Sequence, residues 1–155
     1  MKDLRGSATG VTTAPVAECV RFFRAVDRYP DWHPEVVRRV EVLERDAEGE
    51  PTRARGVLHA AVGPIVKDFD LVLAITLPDP HTVSLTRVPN HPGDDELFEV
   101  VWHLEEGANT TAHARTRIRL DLQASLSVPR LVPVGGIGDR LAEGFMSAAT
   151  RALET

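Results

Sequence analysis

A chain of 155 residues with 43% hydrophobic and 26% charged side chains has the size of one ordinary domain and a globular make-up, which excludes disordered and fibrous classes. Its net charge of −5 argues against nucleic acid or an anionic membrane as the main partner, since both select basic surfaces. The single cysteine, Cys19, allows no internal disulfide. Set among Val16, Val20, Phe22 and Phe23, it reads as a buried thiol in a reducing, cytoplasmic setting. No run approaches the roughly 18 apolar residues of a membrane span, and residues 1–10 lack the apolar stretch of a signal peptide, so neither insertion nor export is expected.

Residues 4–13 mix Val, Thr and Ala with period-two hints and read as a first strand. Ala14-Pro15 then places proline at a first helical position, and Val16, Cys19, Val20, Phe23 and Val26 fall on one helical face. Residues 27–34 (DRYPDWHP) cannot extend that helix, because Pro30 and Pro34 disfavour helix at the residues before them; a short second helix carrying Trp32 is expected.

From Glu35 the pattern alternates: Val40 and Val42, Leu58 and Ala60, Phe69 to Ile75 at odd positions, then Val83 and Leu85. Turn-forming clusters at 46–49, 63–64, 78–80, 89–95 and 107–109 delimit six strands after the helical insert, seven with the first. At Gly107, setting Phe98, Val100, Trp102 and Leu104 against Ala114, Thr116, Ile118 and Leu120 leaves a three-residue loop with Asn109 left-handed. That register faces Glu99 with Arg117 and His103 with His113. After a Pro- and Gly-rich loop over 123–138, Ile137, Leu141, Phe145, Ala148 and Ala152 recur at helical spacing; Gly144 within that helix costs about 1 kcal/mol relative to alanine.

One sheet must cover its apolar face, and only the insert and the terminal helix are available to do so. The expected architecture is therefore a single α+β domain over residues 1–155, a seven-stranded antiparallel sheet curled around a long C-terminal helix, with two short helices after the first strand. One helix does not fill such a concavity. An apolar pocket should remain beside the Gly-rich end at 135–138, with the small residues Ala148, Ala149 and Ala152 holding the helix's other half close to the sheet.

The order of strand, Ala14-Pro15 helix, Tyr29-Pro30-Asp31-Trp32, a meander with Val101-Trp102-His103-Leu104, and a long terminal helix resembles the START-like, or SRPBCC, superfamily, in particular its polyketide cyclase/dehydrase and coenzyme Q-binding branch. The resemblance runs from about residue 6 to residue 153. It implies a helix-grip fold whose cavity binds lipids, quinones, polyketides or other apolar small molecules.

The candidate wall of that cavity is Phe69, Leu71, Leu73, Phe98, Val100 and Trp102, inward by pattern, joined by Leu58, Leu85, Ile137, Leu141 and Phe145. Trp32 either leans over the mouth or plugs the short helix onto the sheet. Arg87, placed with Val83 and Leu85 and opposite Leu71, anchors a ligand oxygen, pairs with an internal acid, or snorkels from the sheet end.

The six histidines show no metal-ligand spacing, and no cofactor is expected. His33 sits nearest the mouth as a candidate general base, and His59 faces Asp68 if Gly63-Pro64 is a two-residue turn. Arg115, Arg117 and Arg119 form an outer stripe interleaved with acids, read as a solvated face. Residues 135–138 fit a hinge or lid better than a nucleotide loop. The leading expectation is a carrier of a small hydrophobic ligand, with a homodimer left open. The alternative is a polyketide cyclase or dehydratase in which Arg87 or His33 assists enolate chemistry.

Overall fold

The computed structural model describes residues 2–62, 65–107, 115–126 and 136–154. Its strands are β1 (Lys2–Thr12), β2 (Val37–Arg45), β3 (Pro51–Val62), β4 (Ile65–Asp79), β5 (Thr82–Arg87), β6 (Leu97–Glu106) and β7 (Thr116–Leu126). All pair antiparallel in one sheet of order β1-β7-β6-β5-β4-β3-β2. Because β1 and β2 follow each other in the chain but hold opposite edges, residues 13–36 must cross the sheet. They do so as α1 (Val16–Arg24), a 3₁₀ turn (Val26–Arg28) and α2 (Tyr29–Trp32), and a long helix, α3 (Ile137–Leu153), completes the cover. This is the α+β helix-grip arrangement that the pattern predicts.

Period-two alternation puts Ile75, Val83, Leu85, Val100, Trp102, Ile118 and Leu120 into the core. On the outer face Arg55 donates to both oxygens of Asp70 at 2.8 Å, and His59 meets Asp68 at 2.7 Å. His59 and Asp68 are direct partners in the β3–β4 register, as a two-residue connection requires; residues 63–64 lie outside the described residues. α1 buries Cys19 and Phe23, and the Phe23 ring stacks on Trp102 with centroids 3.9 Å apart. The Tyr29 hydroxyl donates to the Phe23 carbonyl at 2.8 Å, tying the insert to the same point.

Two registers differ from expectation. In the β6–β7 hairpin Trp102 faces Leu120 and Leu104 faces Ile118, six residues from the expected pairing; Glu99 faces Gln123, Arg117 faces Glu105, and His103 faces Arg119. The slip is even, so every side chain keeps its face: alternation constrains parity and leaves the offset to the loop. Asn109, His113 and Ala114, on which the three-residue loop rested, lie outside the described residues. At the β4–β5 turn Arg87 pairs with Leu73, not Leu71. The strand runs through Pro78, because Asp79 accepts the His81 N–H at 2.8 Å and the Thr82 hydroxyl at 2.9 Å and so moves the turn onward.

Boundaries shift as well. Pro15 is the cap residue before α1, not its first helical residue, and Tyr29 is helical despite preceding Pro30. β7 extends to Leu126, into what the sequence reads as loop.

The terminal helix docks through glycine. A Cβ on Gly6 would fall 2.0 Å from the Gly138 carbonyl carbon, and one on Gly138 would fall 2.1 Å from the Arg5 carbonyl oxygen, so only two glycines allow this contact of β1 with α3. Asp139 then accepts the free edge N–H of Ser7 at 3.1 Å. At the other end Glu154 accepts from the hydroxyls of Thr12 and Thr13 and from the Thr13 N–H, at 2.7–2.9 Å. Where an opening beside 135–138 is expected, Gly138 instead forms a packed junction with β1.

Candidate functional site

On the inner face, between the insert, α3 and the β2–β6 half of the sheet, lies a cavity of about 40 Å³ whose surface is entirely apolar. Leu58, Leu73, Leu85, Phe98, Val100 and Phe145 line it, all of them read from the sequence as wall candidates. Val26 and Tyr29 close it from the insert, while Val37, Val40, Ala54, Gly56 and Ile75 complete the wall from β2, β3 and β4. These seven were not singled out beforehand. The signal for Gly56 was present, since a glycine at an inward position in mid-strand marks missing side-chain volume; Val26 and Tyr29 enter only because the insert folds back over the sheet.

The remaining candidates lie elsewhere. Leu71 and Trp102 are buried in the core away from the cavity. Phe69 is half-buried near the β3–β4 hairpin end, with the Lys67 ammonium 5.0 Å above its ring. Ile137 and Leu141, in the first turns of α3, do not reach the cavity, and Phe145 alone represents that helix there. Trp32 stands outside, in a groove between α2 and α3, stacked on Phe22 with centroids 5.1 Å apart.

Arg87 resolves the three readings in favour of an internal pair. Its guanidinium is only 4% exposed and donates to Asp94 Oδ2 at 2.7 Å and to the Glu96 carbonyl at 2.8 Å. Asp94 also accepts the N–H groups of Asn90 and Glu96, so it organises the β5–β6 connection around the arginine. The Arg87 bond, with those N–H donors, holds the Asp94 carboxyl well below the usual range, and Asp94 in turn raises Arg87. Neither residue lines the cavity.

Burial governs the other ionisable groups near the core. It pushes the Tyr29 phenol up, with the Trp102 indole working weakly against it, and it raises the Cys19 thiol. His33 is lowered, first by burial and further by Arg151, with Glu35 opposing. The imidazole is neutral at physiological pH. On the outer face His103 and Arg119 both meet Asp121 at 3.1 Å, and Arg117 reaches Glu105 at 3.5 Å, so acids interleave the basic stripe. Among the described residues no cluster of His, Cys, Asp and Glu has the makings of a metal site, and no helix is long and apolar enough to cross a membrane.

Residues 12–150 match the family described as polyketide cyclase/dehydrase and lipid transport. The chain belongs to this family. It has the fold of START-like proteins, and solved structures agree. A START superfamily protein from Mycobacterium smegmatis superposes with a TM-score of 0.59 at 18% identity, over 98% of this chain and 94% of that one. A Deinococcus radiodurans protein gives 0.62 at 14% identity, over 99% and 98%. The Zhui aromatase/cyclase of Streptomyces sp. R1128 gives 0.54 at 18%, over 98% and 87%. No curated protein sequence matches this one.

Proposed function

We propose that this family member binds and carries a small hydrophobic molecule in the cavity between the sheet and α3. The observation that carries the reading is the lining: every exposed atom is apolar, and its one polar side chain, Tyr29, has its hydroxyl engaged by the Phe23 carbonyl. An apolar surface without convergent acids or bases suits retention by desolvation and shape, at about 25 cal/mol per Å² buried, better than it suits proton transfer. Arg87, the residue on which cyclase-type enolate chemistry would lean, is committed to Asp94.

As closed, about 40 Å³ holds a few waters, whereas pockets for drug-sized ligands run to roughly 300 Å³ or more. Binding therefore requires the wall to yield, and its Phe145 side packs on Trp32 and His33, which line an open groove.

Gly56 supplies the test. A Cβ there meets nothing nearer than 3.7 Å, so Gly56→Val is tolerated by the backbone while its methyls fill the cavity. Titrated with the uncharged fluorophore N-phenyl-1-naphthylamine, the wild type should bind with micromolar affinity and Gly56→Val at least tenfold more weakly, with unchanged circular dichroism. Equal binding by both proteins would place the ligand outside this cavity and overturn the reading.

A further inference from the structure

The groove between α2 and α3 lies just beyond the cavity. Trp32, His33 and Glu35 form one side and Gly144, Ser147 and Arg151 the other, enclosing about 510 Å³ open to solvent. Phe145 lines the cavity and packs on two residues of the groove, meeting His33 edge-on at 4.6 Å and Trp32 at 6.4 Å. Three rings thus separate a nearly filled apolar interior from a larger groove of mixed polar and apolar lining.

Two polar atoms at this partition have no hydrogen-bond partner among the described residues. Trp32 Nε1 and His33 Nε2 are both shut off from solvent, and His33 as a whole is only 9% exposed. Buried polar groups are ordinarily satisfied, and an indole N–H can only donate. The indole N–H thus lacks an acceptor, and His33 Nε2 lacks a partner of either kind. Gly144 leaves the room for one: a Cβ there would stand 4.0 Å from both Cε1 and Nε2 of His33, so the space a side chain would occupy belongs to the groove. Arg151, bonded to the Ser147 hydroxyl at 3.3 Å, adds a cation to the rim, opposite the carboxylate of Glu35.

We propose that the α2–α3 groove holds the carboxylate of an amphipathic ligand, and that Phe145, which packs on both Trp32 and His33, turns aside to uncover Trp32 Nε1 and the Nε2–H tautomer of His33 for its two oxygens and to admit the apolar tail to the cavity. This rests on the ligand-binding reading above and assigns the ligand a class, an apolar monocarboxylic acid, and an orientation. Two acceptor oxygens match the two orphan atoms, and the groove residues Trp32 and His33 pack directly on Phe145 of the cavity wall.

The experiment is displacement of N-phenyl-1-naphthylamine by dodecanoate and by dodecan-1-ol, which share a chain and differ in the head. In the wild type dodecanoate should displace the fluorophore about tenfold more effectively. Trp32→Phe and His33→Phe, which keep an aromatic ring and remove the polar nitrogen, should each cut that preference to threefold or less. Gly144→Leu, which fills the groove from the other side, should abolish the preference by an independent route. Equal displacement by acid and alcohol in the wild type, or a preference that survives all three variants, overturns the carboxylate site while leaving the cavity reading intact. Failure of the fluorophore itself to bind overturns both.

Discussion

Arg87 and Asp94 show how a charged residue reaches an inward strand position without serving a ligand. The cost of desolvating the guanidinium is offset by Asp94, whose remaining capacity is taken by two backbone N–H groups of the same connection. Asp94→Asn should lower the urea midpoint at pH 7, because it leaves the buried arginine only the more distant Glu96 carboxylate, 3.9 Å away. A depressed carboxyl contributes stability that is complete above the ordinary carboxylate range and is lost as pH falls toward the folded value, so the gap between variant and wild type should begin to narrow below about pH 4. A gap independent of pH would show that the charge is not the cause.

His33 carries the same sign at a higher pH. Burial favours its neutral form, so below about pH 6.5 the unfolded chain takes up a proton that the folded one resists, and stability falls. His33→Phe should flatten the stability profile between pH 5 and 6.5, as measured by urea melts at half-unit intervals.

At the scale of the element, α3 is held by contacts at its two ends. Gly6→Ala or Gly138→Ala drives a methyl into backbone that cannot move without undocking helix from strand, and each should cost about 3 kcal/mol or more. Gly144→Ala is the contrasting case: its Cβ meets only a ring at 4.0 Å, and the mid-helix glycine penalty is relieved, so the fold should gain about 1 kcal/mol. Denaturant melts of the three variants would order them. At the far end Glu154, held below its usual range chiefly by the Thr13 hydroxyl and N–H, makes the latch to β1 acid-labile. Hydrogen exchange at the C-terminal turn should accelerate as pH falls through the carboxylate range.

At the scale of the whole molecule, a ligand at one hundred times its dissociation constant should add about 2.7 kcal/mol and raise the melting temperature by several degrees, an increase absent in Gly56→Val. The sheet that frames this cavity was legible residue by residue. Seven strands, the inward faces of β4 to β7, the His59–Asp68 pair and the long terminal helix all follow from periods of two and 3.6 and from turn residues. The family resemblance, carried by the same elements, led to the same container.

Parity, face and element type are local properties, and the sequence by itself determined them for this protein. The even slip of the β6–β7 hairpin, the onward shift of the turn at Asp79, and the pairing of β1 with β7 across the length of the chain are choices among offsets that alternation leaves equal, and only loop geometry and the packing of the whole sheet separate them. So too with the site. An inward side chain becomes wall or core according to where the insert crosses, which is why Phe98 and Leu73 border the cavity while Leu71 and Trp102 do not. Arg87 was buried by pattern, but its partner was settled in three dimensions, by a connection that folds Asp94 back onto it.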